Sequence, residues 1–192
     1  MDTNKLKATK KSFAPYISTL EMLDISSVGY LMEAKGHKVF IEHANWEDYP
    51  YKPIAAVSIA RTNERLYLSY AVRGLYLLAT TLNDNTPVYQ DSCVEFFMQQ
   101  TNAPYYYNFE FNCIGTCDAS KRLSRDAKES LSKDEYLSIH RHSSIEREVF
   151  EEKPGMFCWS LDISIPFTTM GLDPNNLPEK IKVNFYKCAD DS

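Results

Sequence analysis

Between Arg65 and Arg73 the chain reads Arg-Leu-Tyr-Leu-Ser-Tyr-Ala-Val-Arg, with Leu66, Leu68, Tyr70 and Val72 at every second position. Successive side chains of a strand point to opposite faces, so this spacing predicts a β-strand with one apolar face. A helix would need apolar residues three and four apart. The run Ala55-Ala-Val-Ser-Ile-Ala60 precedes it, and Asn63-Glu64 between the two is turn-like, so they are expected to form an antiparallel hairpin. Leu75 to Thr80 prolongs the second strand or opens another. Further strand-sized runs lie at 93–99, 105–114, 136–142, 157–165 and 181–186, each bounded by Asn, Asp, Pro, Gly or Lys. Many short strands without long helices between them predict an all-β fold, an antiparallel sandwich or barrel. The aromatic supply agrees: 13 Tyr and 10 Phe against 6 Gly suit half-buried strands and leave little for glycine-rich phosphate loops.

Residues 118–135 break the pattern, because charged side chains dominate and only Ala127 and Leu131 could anchor a helical turn. This stretch reads as one charged excursion between strands, longer than ordinary connections of up to about 12–15 residues. The whole chain of 192 residues fits one domain. An N-terminal segment, 1–36, is expected to pack on or lead into a sandwich spanning 37–192. With 26 acidic and 21 basic residues the net charge is -5, which supplies no broad electropositive field for nucleic acid or anionic membranes. No run approaches the roughly 20 apolar residues of a membrane span. Nor does an apolar signal core follow the first residues, so a cytoplasmic chain is expected unless a signal has been removed. Five cysteines, Cys93, Cys113, Cys117, Cys158 and Cys188, lack zinc-ribbon spacing and are expected to be reduced and mostly buried.

Local motifs for catalysis or metal binding are weak. His140 and His142 flank Arg141 on an expected strand and share a face, but two ligands do not make a zinc site. Cys113-Ile-Gly-Thr-Cys117 has a three-residue gap, unlike a redox Cys-x-x-Cys pair. No Gly-x-Ser-x-Gly or Cys-Gly-Ser-Cys-Trp segment supports a hydrolytic nucleophile. Glu95, Glu110 and Asp162 could supply a pair of carboxylates for glycoside hydrolysis, whose separation sequence does not reveal.

The ordered set of later motifs is more informative. Asp91-Ser-Cys-Val-Glu-Phe-Phe97 is followed by Tyr105-Tyr-Tyr-Asn-Phe-Glu-Phe-Asn-Cys-Ile-Gly115, then Trp159 to Phe167, then Lys182-Val-Asn-Phe-Tyr-Lys187. This order resembles the family 9 carbohydrate-binding modules and their bacterial relatives, with their Asp-Ser-x-Val-Glu strand, Phe-x-x-Asn strand, Ile-Pro edge and Asn-Phe-Tyr strand. Asn45-Trp46 ahead of Tyr49-Pro-Tyr-Lys-Pro53 also fits the family's opening tryptophan, a packing residue.

The resemblance implies a β-sandwich of jelly-roll type that binds a mono- or oligosaccharide between two aromatic side chains, without catalysis. On that alignment Tyr89 takes the position of one aromatic wall, Glu95 matches the carboxylate that accepts hydroxyl hydrogen bonds, and Asn112 is a second polar contact. Glu110 stands where a module of known type carries an arginine. The second wall in relatives lies downstream of the Asn-Phe-Tyr strand, so a chain ending at Ser192 is expected to lack that wall and the last strand. One stacked aromatic face contributes roughly 1.5–3 kcal/mol, whereas a millimolar complex needs about 4.1 kcal/mol, so a second contact surface is required. The resemblance also admits a structural calcium ion, although no Asp-rich loop of suitable spacing is present, and no other cofactor is expected. Two rival readings accompany it: a glycoside hydrolase using paired carboxylates, and a haem-binding sandwich with Met98 or His140 as axial ligand.

Overall fold

The computed structural model describes residues 11–43 and 51–188; Asn45, Trp46 and Tyr49 lie outside them. Among the described residues the strands are β1 (His37–Phe40), β2 (Ile54–Arg61), β3 (Arg65–Ala79), β4 (Cys93–Gln100), β5 (Tyr106–Asn112), β6 (Cys117–Arg122), β7 (Lys128–Ser130), β8 (His140–Ser143), β9 (Phe150–Pro166) and β10 (Ile181–Cys188). Two short helices, α1 (Val28–Lys35) and α2 (Lys133–Ser138), accompany them. The strands form two five-stranded antiparallel sheets, ordered β1-β2-β3-β9-β8 and β10-β4-β5-β6-β7. The chain passes from one sheet to the other after β3, β7 and β9, which makes the molecule a β-sandwich.

The period-two runs act as expected. Leu68, Tyr70 and Val72 of β3 face Val94, Phe96 and Met98 of β4 and Phe109 and Phe111 of β5 in one buried core. Phe96 stacks on Phe109 at 5.9 Å between ring centroids and on Phe185 at 5.5 Å. Each fully buried large side chain of this core, Phe96 and Phe109 among them, contributes roughly 1.5–3 kcal/mol. Strict alternation then commits Glu95 and Phe97 of β4, and Asn108 and Glu110 of β5, to the opposite face of that sheet.

The described part of the N-terminal segment packs on the outer face of the first sheet around Ala60 and Tyr67. Ile17 N–H donates to the Arg61 carbonyl at 2.9 Å, and Arg61 N–H donates to the Pro15 carbonyl at 2.9 Å. Ile17, Leu20, Val28 and Met32 then bury against Ala60 and Tyr67. Gly29 permits the close approach, because a Cβ there would fall 2.7 Å from Asp162 Oδ2 on β9.

The charged stretch 118–135 is less of an excursion than its composition suggests. Its first residues belong to β6, where Ala119 packs in the core and Tyr136 Oη binds the Ala119 backbone, accepting from N–H and donating to the carbonyl, both at 2.9 Å. Asp118 on the other face pairs with Lys128 at 3.6 Å, so cross-strand ion pairing replaces the apolar signal. The turn at 123–127 and the short edge strand β7 remain exposed. The expected strand at 136–142 is likewise split. Ser132 and Glu135 form a capping box that starts α2, and the strand begins only at His140.

Candidate functional site

A cavity of about 630 Å³ opens on the outer face of the second sheet, lined by Glu95, Phe97, Tyr106, Lys182, Asn184 and Tyr186 among others. Register explains the set. Tyr186 of β10 pairs with Glu95 of β4, Glu95 with Glu110 of β5, and Glu110 with Asp118 of β6, so one tyrosine and three carboxylates form a row across four strands. The neighbouring row is Asn184, Phe97, Asn108 and Ser120. Both helices lie elsewhere: α1 on the other sheet, and α2 with its Tyr136 on the core side of β6.

Aromatic rings supply the apolar part. Phe97 and Tyr186 meet edge to face at 5.4 Å between centroids with planes 79° apart, and Phe97 meets Tyr106 at 6.2 Å. Such a set gives a pyranose C–H face apolar surface while leaving the tyrosine hydroxyls for polar contacts.

Within the row, the surroundings of Glu110 perturb its carboxyl. Glu110 is only 6% exposed, and burial, reinforced by Glu95 and Asp118, pushes its carboxyl up to about 7. Arg122 at 3.6 Å from Glu110 Oε1 and the Asn108 amide, which donates to Oε1 at 2.5 Å, act in the opposite sense. Among the described residues, Glu110 Oε2 and Asn108 Oδ1 are buried without a hydrogen-bond partner. Like charges directly opposite one another weaken a sheet, and an unpartnered buried acceptor costs about 1–3 kcal/mol. A group that donates hydrogen bonds to this face relieves both.

Of the four residues singled out in the sequence, Glu95 and Glu110 are brought together as register partners. Asn112 lies two residues beyond Glu110 on the same face and is fully buried. Its amide donates to Asp91 Oδ2 at 2.9 Å and to the Thr81 carbonyl, while its Oδ1 accepts from Thr116 N–H at 2.8 Å. Asp91 in turn accepts from Thr80 N–H at 2.9 Å. Tyr89 is 41% exposed on the 3-10 turn Val88–Gln90, which packs on β4 and β5, and it does not line the cavity. The cavity aromatics Phe97, Tyr106 and Tyr186 and the amide Asn108 were not singled out as contacts. Their signal was present in the alternation itself: once Phe96 is assigned to the core, Phe97 must face away from it.

The other candidates disperse. Met98 is buried in the core, whereas His140 is exposed on β8 of the opposite sheet, so they do not face one site. His142 shares the exposed face of β8 with His140. Among the described residues no three His, Cys, Asp or Glu side chains converge to hold a metal ion. No described helix is long and apolar enough to cross a membrane.

The sequence profile of carbohydrate-binding family 9 matches residues 26–192. The chain belongs to this family. Among solved structures, one from Bacteroides uniformis, described as a candidate carbohydrate-binding protein, superimposes with a TM-score of 0.83 at 29% identity, covering 93% of this chain and 84% of that one. Two family 9 modules from Caldicellulosiruptor kristjanssonii also match. The one in complex with cellotriose has a TM-score of 0.49 at 11% identity, covering 90% of this chain and 75% of that one. The one in complex with glucose has a TM-score of 0.42 at 12% identity, covering 70% and 59%. Comparison with curated proteins gave no match.

Proposed function

We propose that this family 9 domain binds a saccharide, without turning it over, on the outer face of the β10-β4-β5-β6-β7 sheet. The observation that carries the reading is the joint placement of Phe97, Tyr186 and Glu95 around one cavity on that face. A pyranose ring lies against the aromatic set, and its hydroxyls donate to Glu95 and Glu110. Asn112 acts through Asp91, holding the turn that carries Tyr89 against β4 and β5, and Tyr89, outside the cavity lining, meets only a ligand that extends beyond the cavity. Family membership and the carbohydrate-binding description of the Bacteroides uniformis relative support the ligand class. The test is titration of glucose, xylose and their oligomers by calorimetry or NMR. Saturable binding at millimolar sugar, lost in Phe97→Ala and Glu95→Gln, is the expected result; no saturable shift with any of these sugars sinks the proposal.

A second reading rests on one specific feature. Glu95 and Glu110 are register partners on one sheet face, which sets side by side the two carboxyl groups that glycoside hydrolysis uses. Glu110, with its carboxyl pushed up to about 7, has the character of a general acid. Turnover of a reporter glycoside that disappears in Glu95→Gln would replace the binding-only reading by a hydrolytic one.

A further inference from the structure

Cys93 opens β4 and Cys188 closes β10, and the two are direct register partners. Directly opposed residues of an antiparallel pair project from the same face, with Cβ atoms about 4.5–5.5 Å apart. A disulfide spans Cα separations of about 4.4–6.8 Å and Cβ separations of about 3.5–4.5 Å, so closure at a strand end needs only a small approach. The remaining cysteines have no such counterpart. Cys117 stands opposite Phe111, Cys158 opposite Arg73, and Cys113 lies in the turn after β5 with its thiol directed at the Leu78 carbonyl.

We propose that Cys93 and Cys188 form a cross-strand disulfide under oxidising conditions, fastening the edge strand β10 to β4. Among the described residues β10 pairs within its sheet with β4 alone, yet it supplies Lys182, Asn184 and Tyr186 to the cavity. The bond therefore ties one side of the cavity to the other and fixes the register on which the Tyr186–Glu95 pairing depends. Fixing this geometry before a ligand arrives removes ordering that binding would otherwise have to impose. Because it joins residues far apart in sequence, it also restricts the unfolded chain strongly.

The chemistry runs through the reachable thiol first. Cys188 is half-buried and borders the cavity, whereas Cys93 is fully buried. The Cys188 thiolate attacks one sulfur of oxidised glutathione, forming a mixed disulfide and releasing one glutathione thiol. As the strand end opens, Cys93 loses its proton to solvent, and its thiolate displaces the second glutathione from Cys188. Two protein thiols give up two electrons and two protons, and one glutathione disulfide becomes two glutathione thiols. Burial holds the Cys93 thiol well above its ordinary range, and Glu95 adds to this, so the second step is slow at neutral pH and faster as pH rises.

The full chain is incubated with oxidised glutathione at mildly alkaline pH, digested without reduction and examined by mass spectrometry. The expected result is a cross-linked peptide pair joining Cys93 to Cys188, with two fewer titratable thiols than the five of the reduced chain. The oxidised protein unfolds at a higher temperature, and dithiothreitol reverses the shift. Cys188→Ser, at a half-buried strand end, forms no internal cross-link under the same treatment. The proposal is overturned if the folded wild type keeps all its thiols, if glutathione stays on Cys188 without internal closure, or if the cross-link joins other cysteines.

Discussion

The two sheets of the sandwich present contrasting outer faces. On the β1-β2-β3-β9-β8 sheet part of that face is covered by the chain itself: Leu20, Val28 and Met32 pack on Ala60 and Tyr67. The polar groups there are partnered, with Ser69 Oγ donating to Asp162 Oδ1 at 2.6 Å and Arg65 Nε to Ser164 Oγ at 2.6 Å. On the β10-β4-β5-β6-β7 sheet the same kind of face carries half-buried rings, a row of carboxylates and two buried acceptors without partners among the described residues. Where the N-terminal segment lies on it, the first face is packed and its polar groups are partnered. The second leaves hydrogen-bonding capacity unused beside a cavity, which is the condition for recognising a polyhydroxylated ligand.

The comparison is most severely tested by Met32→Ala. Removing this fully buried side chain should lower stability by about 2–5 kcal/mol in urea unfolding, with saccharide titrations of the folded protein unchanged. A loss of affinity at retained fold would show that the covered face participates in binding. Next comes Glu110. An unfolded glutamate titrates near 4.5, whereas folded Glu110 titrates at about 7, so the folded chain holds an extra proton between those values. The contribution of Glu110 to stability is therefore greatest below the lower value and falls as pH rises through the window, by on the order of 3 kcal/mol. Glu110→Gln should flatten that slope in thermal melts across the same pH range, and an unaltered slope would place the titrating group elsewhere.

Phe97→Ala separates binding from folding on the second sheet. Its expected signature is a roughly tenfold to hundredfold weaker saccharide complex, from the loss of stacking surface, with a stability change smaller than that of Met32→Ala. Asn112→Ala does the reverse. It strips the Asp91 carboxylate and the Thr116 N–H of partners and should destabilise by about 1–3 kcal/mol. If Asn112→Ala instead keeps its melting temperature and loses sugar affinity, the residue is a direct contact rather than a brace. The smallest effect is expected for the exposed Tyr89, where alanine should shift stability by no more than about 0.5 kcal/mol. Reduced affinity in that variant assigns Tyr89 to the binding surface, and unchanged affinity removes it.

Some of this contrast was legible in the chain alone. The alternation of Leu66, Leu68, Tyr70 and Val72 identified β3, and the turn at Asn63-Glu64 identified its hairpin with β2. The order of motifs from Asp91 to Lys187 pointed to the family that the profile match establishes. The strand β6 was hidden because ion pairs such as Asp118 with Lys128 occupy its outer face, so charge there records cross-strand pairing rather than a loop. The helix α2 was hidden because its start depends on the reciprocal bonding of Ser132 and Glu135, while its apolar content is small.

By itself the sequence determined which residues alternate, and hence that Phe96 and Phe97 look in opposite directions, because the strand period is a property of the backbone. It could not determine which of its faces stays open. That depended on where α1 came to rest, on Gly29 allowing it to approach Asp162, and on the cross-strand register that set Tyr186, Glu95, Glu110 and Asp118 in one row. Pairings between distant strands are decided by the packing of the whole sandwich, so the candidate site exists only at that level.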